Sequence, residues 1–124
     1  MVTPERPKII YAIQHKVTGR IYVGSSQNLD DRISTHISAL KNGNHPVELM
    51  QEDADKYGLD YEFFVLDKYD NYQDSKKEYE WMLKLNTGDP ECGYNYKDAH
   101  FRNRRKPIKI TEGVPISNKA KSNE

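Results

Sequence analysis

IIYAI at residues 9–13 and IYVGSS at residues 21–26 decide the fold of this 124-residue chain. Both stretches are rich in β-branched and aromatic residues, and the KVTG segment at residues 16–19 between them supplies turn chemistry. The pattern predicts a β-hairpin whose strands span residues 8–15 and 20–24. An even-length loop at this turn places Tyr11 opposite Gly24 and Tyr22 opposite Ile13.

In that register the two tyrosines are diagonal neighbours on one face of the sheet. The other face carries small and branched apolar side chains, namely Ile10, Ala12, Ile21 and Val23. Because both faces are largely apolar, we expect the hairpin to be covered on both sides. A loop of odd length would separate the tyrosines, so the register decides whether Tyr11 and Tyr22 belong to one site.

The composition indicates one intracellular domain. A chain of 124 residues is long enough for a single domain with its own core. The one cysteine, Cys92, excludes an internal disulfide and fits a reducing compartment. We find no apolar run near the ~18 residues of a membrane span and no apolar signal stretch in residues 1–8, so no membrane association is expected.

The net charge of zero hides a strong asymmetry along the chain. Residues 1–45 carry a formal charge of +3, residues 46–92 carry −8, and residues 93–124 carry +5. This distribution is compatible with a nucleic-acid surface built from both ends of the chain, with the acidic middle facing away. On charge alone, the more common explanation is that the charges simply solvate the surface.

Three helices and one more strand are predicted downstream of the hairpin. The first helix spans residues 29–42, where Asn28 is the N-cap candidate and Gly43 the stop signal. The second spans residues 46–57, with Pro46 in its first turn and Tyr57 among its core candidates. A strand at residues 61–67 and a helix at residues 73–86 follow, and residues 93–96 form a short extended segment.

The predicted domain organisation is a folded unit at residues 1–98 and a basic, mobile tail at residues 99–124. From about residue 99 the sequence turns polar and basic. Four cations in this segment are expected to contact DNA phosphates without reading sequence: Arg102, Arg104, Arg105 and Lys106.

Five short motifs occur in order over roughly residues 8–100, and together they resemble the GIY-YIG nuclease family. The family's Gly-Ile-Tyr and Tyr-Ile-Gly stand here as residues 9–11 (IIY) and 22–24 (YVG), with Ile9 in place of the first glycine. Arg32 and His36 follow on the first predicted helix. The GNH and GYN triplets at residues 43–45 and 93–95 are most like those of the catalytic domain of phage-type homing endonucleases.

The resemblance implies a fold and a reaction. The fold is α+β, a small three-stranded antiparallel sheet flanked by helices. The reaction is metal-dependent hydrolysis of phosphodiester bonds in double-stranded DNA, with Mg²⁺ or Mn²⁺ as cofactor. Homing or mobile-element nucleases of this type usually continue into a separate DNA-binding domain. Three arrangements are therefore open for this chain: a free-standing nuclease, an isolated catalytic domain, or a subunit that takes its targeting from a separate domain or partner protein.

The resemblance also implies roles for individual residues. Glu78 is the metal ligand, Arg32 binds the scissile phosphate, and Tyr11 with Tyr22 positions or deprotonates the attacking water. His36 assists proton transfer or binds phosphate. The remaining site residues are Asn95, which orders the metal side of the site by hydrogen bonding, and His45, which caps the second helix or contacts DNA.

Each of these residues also has an ordinary structural role open to it. Glu78 resembles the solvated helix glutamate Glu80, and the tyrosines resemble strand residues that pack with the hydroxyl at the edge. The alternative function is therefore a catalytically silent DNA-binding or protein-interaction module on the same fold. Nicking of a plasmid in the presence of Mg²⁺ discriminates the two.

Overall fold

The structure is a computed structural model that describes residues 7–69, 76–96, 110 and 113–115. It contains three helices and an antiparallel sheet, as the α+β prediction requires. In chain order they are β1 (Lys8–His15), β2 (Ile21–Ser26), α1 (Leu29–Asn42), α2 (Glu48–Tyr57), β3 (Tyr61–Tyr69), α3 (Lys76–Leu85) and β4 (Val114–Pro115).

The sheet has one strand more than the three that were predicted. Its strands are antiparallel in the order β2-β1-β3-β4, and β4 pairs Val114 with Val65 of β3. This strand and the buried Ile110 come from the segment that was predicted to be a mobile tail, so these residues belong to the folded domain. The four basic residues at 102 and 104–106 lie outside the described residues, and their role remains a prediction.

The hairpin has the predicted register, with Tyr11 opposite Gly24 and Ile13 opposite Tyr22. It is also covered on both faces. One face packs against α3 in a cluster that includes Ile10, Ala12, Val23 and Met82, and the other face packs against α1 and α2. The sheet is thus the middle layer of three, and Tyr11 lies on the α1 side of it.

The helix signals of the sequence act as predicted in α1. The Asn28 side chain accepts a hydrogen bond from the Asp31 N–H at 3.2 Å, and Gly43 ends the helix in the left-handed conformation at φ 79°. The second helix begins at Glu48, two residues later than predicted, because Val47 is its extended N-cap residue. Tyr57, predicted to be in the core, is 43% exposed.

The third helix runs over Lys76–Leu85, and residues 73–75 of its predicted span lie outside the described residues. None of the helices in the described part of the chain is long and apolar enough to cross a bilayer.

Candidate active site

Two tyrosines form the floor of the candidate site. The rings of Tyr11 and Tyr22 lie on the α1 side of the hairpin with their centroids 6.2 Å apart. The sheet is irregular here, because the pairing of β1 with β3 shifts register between Ile10 and Tyr11, and such bulges re-aim side chains. A Cβ on Gly24 would lie 2.6 Å from the Tyr11 hydroxyl oxygen, so only glycine leaves room for the ring.

Helix α1 brings a histidine and an arginine to the tyrosines. His36 Nε2 lies 2.9 Å from the Tyr11 hydroxyl oxygen, and the His36 ring meets the Tyr22 ring edge-on at 5.2 Å. Arg32, one turn earlier, is exposed, and its charge acts on both Tyr11 and His36. The predicted common face of Arg32 and His36 is therefore present, with the arginine available to a phosphate.

A second histidine lies behind the first. The His45 ring stacks on His36 with 5.0 Å between centroids, and its Nε2 lies 2.8 Å from His36 Nδ1. Its Nδ1 accepts the Val47 N–H at 3.0 Å, which matches the predicted capping role at the start of α2. Only 7% of His45 is exposed, and its ring nitrogens contact protein groups; a direct DNA contact by His45 stays a prediction.

Helix α3 supplies a carboxylate from the other side of the hairpin. Glu78 is half-buried in the first turn of α3, and its Oε1 accepts a hydrogen bond from the Ser25 hydroxyl at 2.6 Å. Glu80 is exposed, which favours Glu78 as the site residue. Ser25 escaped the sequence analysis, although alternation along β2 puts its side chain on the α3 side, beside Gly24.

The donor set fits a magnesium ion that is held by a single carboxylate. Among residues 7–69, 76–96 and the four further positions described, no group of three or more His, Cys, Asp or Glu side chains is arranged for a metal. Mg²⁺ commonly takes only one or two protein carboxylates and completes its shell with water and substrate phosphate. With Ser25 on Oε1, Glu78 retains a second carboxylate oxygen for such an ion.

Asn95 acts on the backbone of β2. Its Oδ1 accepts the Val23 N–H at 2.8 Å and its Nδ2 donates to the Val23 carbonyl at 3.1 Å. The neighbouring Tyr94 N–H donates to the Ile21 carbonyl at 2.9 Å, so this segment follows the outer edge of β2. Asn95 therefore holds the strand that carries Tyr22, as a hydrogen-bonding role predicts, and is 1% exposed.

Burial controls the protonation of the site. Desolvation raises the pKa of Tyr11, Tyr22 adds to this, and the charge of Arg32 opposes it, so Tyr11 is protonated at neutral pH. Desolvation, with His45 and Arg32 adding to it, lowers the pKa of His36 to about 3. Burial also lowers the pKa of His45. Both histidines are therefore neutral at pH 7.

A sequence profile of the GIY-YIG catalytic domain matches residues 7–95, which contain every element of this site. The chain belongs to the GIY-YIG family. Within the GIY-YIG domain, Tyr11 and Tyr22 lie in the two motifs of the name, and Arg32, His36, Glu78 and Asn95 converge on them or on their strands.

Similar GIY-YIG proteins are phage endonucleases. Intron-associated endonuclease 1 of Enterobacteria phage T4 is 30% identical over 94 residues, which are 74% of this chain and 38% of that protein. A mutant form of the catalytic domain of intron endonuclease I-TevI superposes with a TM-score of 0.66 at 28% identity, over 77% of this chain and 99% of the other. A further structure of the catalytic domain of homing endonuclease I-TevI gives a TM-score of 0.59 at 26% identity, over 64% and 89%.

Proposed function

We propose that this chain is a Mg²⁺-dependent endonuclease that hydrolyses phosphodiester bonds in double-stranded DNA, of the homing or mobile-element type. The observation that carries the proposal is the convergence of Tyr11, Tyr22 and His36 from one side of the hairpin and Glu78 from the other. The matched region is 38% of the phage relative, so targeting by a further domain or a partner protein is part of the proposal.

Glu78 is the residue that would hold the ion. A bound divalent cation would neutralise the negative charge that develops on the phosphate. Ser25 donates to one carboxylate oxygen and thereby fixes the plane of the group. Manganese, a slightly larger ion with the same preference for oxygen ligands, is expected to replace magnesium.

Arg32 and the tyrosines act on the substrate side. The exposed guanidinium of Arg32 has the planar fork that binds phosphate in a bidentate manner. The hydroxyls of Tyr11 and Tyr22 position the attacking water by hydrogen bonding. Tyr11 is protonated at neutral pH because burial raises its pKa. His36 holds the Tyr11 hydroxyl in place.

The test is nicking of supercoiled plasmid with Mg²⁺, compared between Glu78→Gln and the matched control Glu80→Gln. Glutamine preserves the size of the side chain and removes the charge that attracts the ion. We expect Glu78→Gln to lower the nicking rate by roughly 10²-fold or more, with DNA affinity unchanged. Glu80→Gln should nick at the rate of the parent protein.

Two results would contradict the proposal. Equal activity of Glu78→Gln and the parent protein would remove Glu78 from the metal site. Salt-sensitive DNA binding without Mg²⁺-dependent nicking in the parent protein would identify the chain as a silent binding module of the same fold.

A further inference from the structure

In one hydrogen bond of the site, the donor and the acceptor can be assigned without ambiguity. The backbone N–H of Val47 points at His45 Nδ1 at 3.0 Å, and a backbone amide nitrogen is only ever a donor. His45 Nδ1 must therefore be unprotonated. A neutral imidazole with a bare Nδ1 carries its proton on Nε2.

The tautomer of His45 also fixes the donor and the acceptor in its hydrogen bond to His36. His45 Nε2 lies 2.8 Å from His36 Nδ1, so the His45 N–H donates and His36 Nδ1 accepts. The His36 proton is then on Nε2, which lies 2.9 Å from the Tyr11 hydroxyl oxygen. His36 consequently donates to Tyr11, and the Tyr11 oxygen accepts.

The reverse direction is blocked. If Tyr11 donated to His36 Nε2, then His36 Nδ1–H would donate to His45 Nε2, and the His45 proton would sit on Nδ1. Two N–H groups, those of His45 and Val47, would then face each other at 3.0 Å in a part-buried position, with neither able to accept from the other. Both rings are neutral at pH 7, so no extra proton relaxes this constraint.

We infer that His45 is a positioning residue that locks His36 as a one-way hydrogen-bond donor to Tyr11, so that the histidine pair stabilises the Tyr11 oxygen and is not an acceptor for its proton. The Tyr11 hydroxyl proton is thereby directed away from His36, towards the side of the site where the Tyr22 ring lies, with 6.2 Å between the two ring centroids. Tyr22 is the less buried of the two. The inference rests on the proposed function in one respect only, the role of Tyr11 in positioning the attacking water.

Hydrogen bonds of Gln51 fix the position of the loop that carries His45, as this role requires. Its backbone N–H donates to Gln51 Oε1 at 2.9 Å, and Gln51 Nε2 donates to the Leu40 carbonyl at 3.0 Å. The loop that carries His45 is thus tied to the ends of both α1 and α2. A ring held in this way keeps its Nε2 aimed at His36.

The test is the tautomeric state of each histidine, measured by long-range ¹H–¹⁵N correlation at pH 7 on the full chain without DNA or metal. We expect His36 and His45 to be Nε2-protonated with bare Nδ1 nitrogens. His15 is an internal control, because its Nδ1 accepts the Val17 N–H and its Nε2 faces the Gly58 carbonyl, so it should show the same tautomer for an unrelated reason.

Two variants distinguish the effect of the His45 N–H donor from the effect of its ring packing. His45→Gln keeps an N–H donor near the position of Nε2 and should leave His36 Nε2-protonated. His45→Phe keeps the stacked ring but has no donor, so His36 should become a mixture of tautomers while His15 is unchanged. At equal thermal stability, His45→Phe should cleave DNA more slowly than His45→Gln.

An Nδ1-protonated His36 in the parent protein would overturn the inference, and so would an unchanged His36 tautomer in a folded His45→Phe variant. Should that variant fail to fold, the spectrum of the parent protein alone decides. Because the spectrum requires no nuclease activity, failure of the proposed function would not be mistaken for failure of this inference.

Discussion

Tyr11 shows how strongly one side chain depends on its surroundings. It is 1% exposed, its ring is wedged over Gly24, and its hydroxyl contacts His36. Tyr22 shares the same sheet face but is only half-buried. The two motif tyrosines are thus unequal, with the inner hydroxyl held by protein and the outer one nearer to solvent.

The first residue-scale prediction separates catalysis from packing by Tyr→Phe substitution, which removes only the hydroxyl. Tyr11→Phe and Tyr22→Phe should each lower single-turnover cleavage at saturating Mg²⁺ by roughly 10²-fold or more, the scale of acid–base contributions. Tyr11→Phe also leaves the His36 N–H without its acceptor, so it should lower the free energy of unfolding by about 1–3 kcal/mol.

Tyr57→Phe is the matched control, because Tyr57 is exposed and lies outside the motifs. It should cleave and melt like the parent protein. If both motif variants cleave as fast as Tyr57→Phe does, the two tyrosines are packing residues. The result would favour a catalytically silent module over a nuclease.

At the scale of elements, a buried carboxylate joins three segments that the sequence separates. Asp53 of α2 is 3% exposed and accepts hydrogen bonds from Tyr94 at 2.6 Å, from Arg20 at 2.8 Å and from Thr18 at 3.1 Å. Arg20 also donates to the Pro90 carbonyl at 2.7 Å. The hairpin turn, α2 and the segment that leads to Asn95 therefore meet at Asp53.

Removing this junction should destabilise the protein. Asp53→Ala leaves the Tyr94 hydroxyl and the part-buried Arg20 guanidinium without their carboxylate partner, and we expect the free energy of unfolding to fall by about 1–3 kcal/mol. Chemical denaturation measures the loss. Glu52→Ala, at an exposed position of the same helix, is the control and should change the free energy of unfolding by no more than about 0.5 kcal/mol. Similar losses in both variants would show that Asp53 is not the junction.

At the scale of the whole molecule, the buried histidines make stability depend on pH. The unfolded chain takes up a proton at His36 near pH 6.5, whereas the folded protein does so only near pH 3. The neutral ring is therefore fully stabilising above pH 6.5. The free energy of unfolding should fall as the pH drops from 6.5 towards 3, by at most about 1.4 kcal/mol per pH unit from this one residue.

His36→Gln provides the comparison, because it removes the titrating ring and leaves the carboxylates unchanged. Urea denaturation of both proteins between pH 4 and 7 should give a shallower pH dependence for the variant. Parallel curves would mean that His36 is accessible to protons in the folded state.

The charge asymmetry of the chain leads to a prediction for the tail. Replacing Arg102, Arg104, Arg105 and Lys106 by alanine should weaken DNA binding and lower the log–log salt slope by at most about 0.9 per lost phosphate contact. Alanine at Lys56 and Lys84, which are exposed in the acidic central segment, should leave the slope unchanged. An equal slope for the tail variant and the parent protein would make the tail a passive extension.

Sequence periodicity was sufficient for much of the fold. The two β-rich stretches at residues 9–13 and 21–26 and the turn between them predicted the hairpin, and the even-length loop, one of the two alternatives, gives the register that the structure has, because strand pairing is fixed by loop length. Asn28 and Gly43 marked the ends of α1, because capping involves residues that are close in the chain. The motif order along the chain led to the family.

The remaining features depended on how the layers pack. Ser25 meets Glu78 across 53 positions, Asn95 meets Val23 across 72, and His45 is drawn behind His36 by the loop between α1 and α2. The pairing of β4 with β3 joins Val114 to Val65. No local pattern contains these contacts, because each hydrogen bond or strand pair forms only after helices and strands that are distant in the chain have docked on the same sheet.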